Sequence, residues 1–144
     1  MSDQQKIILF AEDELLVREA ARMALEDENY TVLLADNGDE AIGIFVDRYE
    51  DIDLVLLDVQ MPGMNGDEAL KQMQFIDPAV NVIFVTGVII DWEELGVAGI
   101  IQKPYGTGEL LRRVKGILTP PQPLIHPNYL LQNRLYISNS GTCK

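Results

Sequence analysis

Five short apolar runs, each separated from the next by residues of different periodicity, constrain this chain more than any single position does. The runs are Lys6–Phe10, Tyr30–Ala35, Leu54–Asp58, Asn81–Thr86 and Gly99–Lys103. Apolar stretches this short, bounded by turn residues, read as strands buried on both faces. Between the first two, Leu16, Ala20, Met23, Ala24 and Asp27 follow helical spacing, and Glu12-Asp13-Glu14 suits the positive end of a helix. After Asp36-Asn37-Gly38, the positions Ala41, Ile42, Phe45 and Tyr49 repeat the pattern. Ala69, Leu70, Met73 and Ile76 form a third stripe, stopped by Asp77-Pro78. Thr107 is placed to cap a last helix whose inner face is Leu110, Leu111, Val114, Ile117 and Leu118.

Alternation of this kind predicts an α/β fold, a parallel sheet with helices on both faces. Right-handed crossovers and five strands predict a flavodoxin-like three-layer sandwich with strand order 2-1-3-4-5. In that order the first and third strands are neighbours, and a crevice opens at their carboxyl ends. Glu12 and Asp13 follow the first run and Asp58 closes the third, so three carboxylates converge there. Thr86 and Lys103 end the fourth and fifth runs on the same edge.

At 144 residues the chain has the length of one domain with one sizeable core. Its apolar stretches are too short to span a bilayer, and the polar start is unlike a secretory signal, so a cytoplasmic location is expected. Cys143 is the only cysteine, which excludes an internal disulfide. A net charge of −12 argues against nucleic-acid or anionic-membrane partners. Residues 119–144 hold Arg134 and Lys144 and no Asp or Glu, so removing that +2 leaves −14 on residues 1–118. The composition also changes there. Thr119-Pro120-Pro121-Gln122-Pro123 breaks any helix and reads as an extended linker. The expected organisation is therefore a domain over 1–118 and a Pro-rich tail over 119–144. Leu124, Ile125, Tyr129, Leu130, Leu131, Leu135, Tyr136 and Ile137 suit that tail to packing on the body or on a partner.

The strand-end residues suit aspartyl phosphorylation. An ionised, aligned carboxylate is a nucleophile toward phosphorus, and Asp58 opens the loop Val59-Gln60-Met61-Pro62-Gly63-Met64-Asn65-Gly66. Incoming phosphate and carboxylate repel, so a hard divalent cation with oxygen ligands must bridge them. Asp13, Asp58, the backbone carbonyl of Gln60 and, through water, Glu12 offer those oxygens. Lys103 supplies a positive charge and Thr86 a hydroxyl, with small Gly87 leaving room. Positioning and charge compensation of this sort are most of what phosphoryl transfer needs.

Taken in order, Glu12-Asp13, Asp58-x-x-Met61-Pro62-x-Met64-x-Gly66, Thr86-Gly87 and Lys103-Pro104-Tyr105 resemble the receiver domain of two-component response regulators over about residues 5–118. The resemblance fits a stand-alone regulator or a receiver from a hybrid histidine kinase. It implies Asp58 as phosphoacceptor and Glu12, Asp13, Asp58 and Gln60 as a site for Mg²⁺ or Mn²⁺. It further implies Thr86 as switch hydroxyl, Lys103 as phosphoryl-binding amine and a cis Lys103–Pro104 peptide. The implied partner is a histidine kinase or phosphotransfer protein, with a homodimer as a further form. No enzymatic output is expected beyond the chain's own Mg²⁺-dependent phosphorylation and dephosphorylation.

Two positions depart from the family pattern. Ile100 stands where receivers carry an aromatic switch residue, three positions before the lysine, and Tyr105 lies beyond it and does not take that role. Thr86 and Lys103 are also only seventeen positions apart. That is about five fewer than is common, or about 7.5 Å of helix. The missing length is expected to leave a shortened fourth helix around Asp91-Trp92-Glu93-Glu94-Leu95. Competing readings are a receiver-like docking module that is not phosphorylated, a flavodoxin-like binding protein and an aspartyl-phosphate hydrolase. Acidic Ala11-Glu12-Asp13-Glu14 is a poor phosphate cradle, and Gln60 replaces the second aspartate such hydrolases use. His126, in the tail, is not assigned a catalytic role.

Overall fold

Side chains alternate between the two faces of a strand, so a run that is apolar throughout needs cover on both. The central strands meet that demand. In the computed structural model, which describes residues 5–88, 91 and 93–119, every residue of β3 (Leu54–Asp58) and β4 (Val82–Thr86) is buried. β1 (Ile7–Ala11) lies beside β3, β2 (Thr31–Ala35) lies beyond β1, and β5 (Gly99–Gln102) lies beyond β4. The parallel order is therefore β2-β1-β3-β4-β5, as the alternation predicts. Strand limits fall within a residue of the sequence runs.

Among the described residues four helices cover the sheet: α1 (Leu15–Asp27), α2 (Gly38–Arg48), α3 (Gly66–Ile76) and α4 (Thr107–Leu118). Leu9, Val55, Leu57 and Phe84 point toward α2 and α3, where they meet Phe45, Leu70 and Met73. Ile8, Phe10, Leu56 and Val85 point the other way, onto Ala21 and Leu25 of α1 and Leu110 and Val114 of α4. Each fully buried Leu or Phe contributes about 1.5–3 kcal/mol relative to exposure, so these two layers dominate stability. No helix among the described residues is long and apolar enough to cross a membrane.

Three local expectations need correction. The inner face of α1 is Ala21 and Leu25, with Val17 and Ala24 half-buried, whereas Leu16 is 83% and Met23 59% exposed. Apolar residues occupy adjacent stripes on this helix, and one position is a rotation of about 100°. Packing of Leu25 against the sheet selects the second stripe. Thr107 is the first residue of α4 rather than its cap; Gly106 holds the cap position, with no side-chain bond. The shortened fourth helix is, among the described residues, a turn over 93–96. A segment of about five residues forms too few helical hydrogen bonds to offset nucleation. Gly96, at φ +81°, reverses the chain and the Gln74 amide donates to the Leu95 carbonyl at 2.8 Å. The expectations for the tail fall, from residue 120 onward, outside the described residues.

Candidate functional site at the carboxyl edge of the sheet

Register places the site. Ala11 of β1 pairs with Leu57 of β3, so Glu12, one residue on, stands beside Asp58. Asp58 pairs with Val85, and Thr86 with Gln102, which brings Lys103 to the same edge. One carboxylate oxygen from each of Glu12, Asp13 and Asp58 lies within 4.8 Å of the other two. Glu12 and Asp58 are buried and Asp13 is exposed. At this separation, two like charges near a protein surface repel by on the order of 3 kcal/mol, so the cluster requires a cation.

Lys103 supplies one. Its Nζ is 2.9 Å from Asp58 Oδ2 and 2.9 Å from Glu12 Oε1. The first contact is a hydrogen bond; the second lacks hydrogen-bond alignment and leaves Glu12 Oε1 held by charge alone. Burial draws the Lys103 ammonium down, but the close contacts and charges of Asp58 and Glu12 outweigh it and raise it overall. Burial pushes the Glu12 carboxyl above the usual carboxylate range, and the Asp58 charge adds to that, against the opposing pull of Lys103 and the Glu14 amide. The Lys103–Pro104 peptide bond is cis.

Backbone donors hold the carboxylates in place. The Gln60 amide donates to Asp58 Oδ1 at 3.0 Å and the Glu14 amide to Glu12 Oε2 at 3.0 Å. Arg18 Nη1 donates to the Glu12 carbonyl at 2.7 Å. The loop after Asp58 closes where the Gly66 amide donates to the Val59 carbonyl at 2.9 Å. A Cβ at Gly66 would sit 2.7 Å from Val59 Cα and 2.8 Å from the Asp58 carbonyl oxygen, so only glycine fits. Asn65 then opens α3 with a reciprocal cap to Glu68.

Thr86 is buried, but its hydroxyl is engaged locally. Oγ1 accepts from the Val88 amide at 3.1 Å, while the Thr86 carbonyl accepts from the Lys103 amide at 2.7 Å. Gly87 leaves space, since among the described residues an added Cβ would meet only Lys103 Cβ, at 4.0 Å. Glu12, Asp13, Asp58, Thr86 and Lys103 thus lie along one edge.

Three contributors were not legible beforehand: Glu14 and Arg18, which fix Glu12, and Tyr105. Among the described residues the buried Tyr105 hydroxyl has no partner, and burial, reinforced by the Glu12 charge, pushes the phenol up to about 12. Its place directly after Lys103-Pro104 was the only available signal.

An oxygen-lined cluster with one exposed carboxylate fits a hard divalent cation that keeps several waters. The family model described as response regulator receiver domain matches residues 8–115. The transcriptional regulatory protein ResD of Bacillus subtilis (strain 168) is 37% identical over 116 residues, which are 77% of this chain and 47% of that protein. Sporulation initiation phosphotransferase F of the same strain is 35% identical over 116 residues, covering 77% of this chain and 92% of that one. The chain therefore spans about half the length of the first relative and nearly all of the second. A crystal structure of the response regulator TrrA from Thermotoga maritima, in complex with Mg²⁺-BeF, superposes with a TM-score of 0.71 at 29% identity, covering 79% of this chain and 100% of that one. The chain belongs to the response regulator receiver domain family of two-component signal transduction.

Proposed function

We propose that Asp58 accepts a phosphoryl group from a histidine kinase or phosphotransfer protein and that the modified domain switches its protein contacts. One observation carries this reading: a buried aspartate ends the central strand, with two acidic neighbours and a lysine 2.9 Å from its oxygen. Glu12, Asp13, Asp58 and the Gln60 carbonyl would hold Mg²⁺ or Mn²⁺. When bound, the ion supplies charge compensation between carboxylate and phosphate. In the transfer, an Asp58 oxygen attacks phosphorus, the bond from phosphorus to the donor imidazole breaks, and the freed nitrogen keeps the electron pair. Lys103, already aimed at Asp58, would exchange that contact for a phosphoryl oxygen, and the Thr86 hydroxyl would leave the Val88 amide to bind another.

The Mg²⁺-BeF complex of the related TrrA supports the cation assignment, and the phosphotransferase relative supports the donor class. Residues 1–118 form the phosphorylated unit in this reading, with 119–144 outside it, and signalling rather than catalysis of another substrate is the output. The test is incubation with acetyl phosphate and Mg²⁺, read by intact-mass spectrometry. One phosphoryl group is expected on the wild type and none on Asp58→Asn. Equal labelling of the two proteins would remove Asp58 from the role.

A further inference from the structure

Among the described residues, β2 and β5 each have a neighbouring strand on one side only. The two edges differ in how they are protected. β5 opens with Gly99 and runs into Lys103-Pro104, and a cation and a proline are residues that blunt an edge. β2, Thr31-Val32-Leu33-Leu34-Ala35, has no charge, no proline and no glycine. A strand of that composition is a template for another strand.

Register identifies which of its backbone groups are left over. The Thr31 amide donates to the Lys6 carbonyl at 2.9 Å, and the Ala35 carbonyl accepts from the Glu12 amide at 3.0 Å. Successive residues of a strand turn their main-chain groups to opposite sides. Thr31, Leu33 and Ala35 therefore bond β1, and Val32 and Leu34 direct N–H and C=O outward. At either end the next outward amide is already taken. Tyr30 donates to the Leu25 carbonyl at 3.2 Å and Asp36 to Glu40 Oε1 at 2.8 Å. Beside this open stretch, a concavity of ≈ 470 Å³ lies between the strand and α2, with Leu33, Ile44 and Arg48 among its walls.

We propose that a second copy of this chain adds its own β2 to this edge, antiparallel, about a two-fold axis at Leu33. Three observations select that occupant. The first is hydrogen bonding. With the axis at Leu33, Val32 of each copy faces Leu34 of the other, and each pair exchanges two N–H···O=C bonds. Every outward group is then satisfied. An axis at Val32 or Leu34 instead brings in Tyr30 or Asp36, whose amides are occupied.

The second is side-chain match. Val32 and Leu34 belong to the layer of α1 and Leu33 to the layer of α2, so this register sets apolar against apolar on both faces. The third is charge. α2 runs back along β2, with Glu40 and Asp36 beside Ala35 and Arg48 beside Val32. The two-fold axis brings the Arg48 end of each α2 toward the Asp36 and Glu40 end of the other. Because α2 contacts β1 and β2 alike, the two helices come to lie about two strand spacings apart, about 10 Å, a packing distance. A net charge of −12 on each copy opposes approach, but physiological salt screens it beyond about 8 Å. Short-range complementarity at the edge then decides. The pairing does not depend on phosphorylation of Asp58.

The test uses the full chain over a dilution series, with mass read by sedimentation and amide exchange by NMR. The expected result is a dimer that dissociates on dilution. Its Val32 and Leu34 amides are protected in the dimer and lose protection in the monomer, while Leu33 stays protected in both. A monomer mass at every concentration would overturn the proposal. So would a dimer whose Val32 and Leu34 amides exchange freely, which would put the contact on another face. Protection of both amides in a monomer would also overturn it, by assigning the edge to another segment of the same chain. Val32→Pro removes one outward donor per copy and spares the bonds to β1. It is expected to weaken the dimer about thirtyfold, the factor for two hydrogen bonds of about 1 kcal/mol each. Arg48→Glu alters an exposed side chain and is expected to weaken it about fivefold, with recovery when Glu40→Arg is added. Association unchanged in both variants would count against the edge.

Discussion

The two sides of the sheet's carboxyl edge are built on different terms. At β1 and β3, Glu12 and Asp58 are buried and fixed by backbone amides from Glu14 and Gln60, by Lys103 and by a loop that tolerates only glycine at position 66. At β4 and β5, the Thr86 hydroxyl bonds only to the Val88 backbone among the described residues, accepting from its amide at 3.1 Å and donating to its carbonyl at 3.5 Å, Gly87 has space beside it, and a turn at 93–96 occupies the region where a helix was expected. One side is preorganised for charge, where displacement is costly. The other holds its hydroxyl only by local contacts to the Val88 backbone, which are exchangeable at small cost.

Lys103→Met tests the contrast most severely. It strands two buried carboxylates, a change that costs about 3–5 kcal/mol in a fully buried pair and about 2–3 here, because the lysine is a quarter exposed. Urea denaturation in metal-free buffer should report that loss, and added Mg²⁺ should recover part of it; a loss below the error of the measurement would remove the lysine from its structural role. Next comes Gly66→Ala, where a Cβ 2.7 Å from Val59 Cα forces the backbone to move. About 2 kcal/mol of destabilisation is expected, with weaker Mg²⁺ binding by titration. Gly87→Ala is the control on the open side, and a comparable cost there would erase the distinction between the two sides.

Tyr105→Phe should act in the opposite sense. Removing a buried hydroxyl that has no partner among the described residues is expected to stabilise by about 1 kcal/mol, measured from the same denaturation midpoints. The phenol also gives a pH signature. Its folded value is raised from 10.0 to about 12, so the folded protein binds the proton more tightly than the unfolded chain. Stability from this group is complete below pH 10.0 and is lost as pH rises toward about 12, and Tyr105→Phe should flatten the curve in that window. Thr86→Val carries the smallest expected effect, about 0.5 kcal/mol, since the Val88 amide it abandons can turn to water. A loss as large as that of Gly66→Ala would mean that the hydroxyl is structural.

Features set by short-range pattern were legible in the sequence, and those set by tertiary contact were not. Strands such as Leu54–Asp58 are apolar at every core position, so no alternative reading competes, and the α3 stripe of Ala69, Leu70 and Met73 has polar neighbours that leave one inner face. In α1, Leu16 and Met23 offered a second apolar stripe, and only the packing of Leu25 on the sheet selects between them. The convergence of Glu12, Asp13, Asp58, Thr86 and Lys103 followed from strand order alone. That Lys103 bridges two carboxylates at equal distance did not, because it depends on the register of β4 with β5. The buried state of the Tyr105 hydroxyl likewise depends on what packs around it, which no local motif encodes.

The central place of β3 has a consequence for isotope exchange. Its amides are hydrogen-bonded to β1 on one side and β4 on the other, and all five of its residues are buried. Deuterium should enter there only through global opening, whereas β5, with one neighbour, can exchange through local fraying. The strand that presents Asp58 is thereby a built-in reference, against which slower or faster uptake at Thr86 and Lys103 can be read as local change rather than altered stability of the whole.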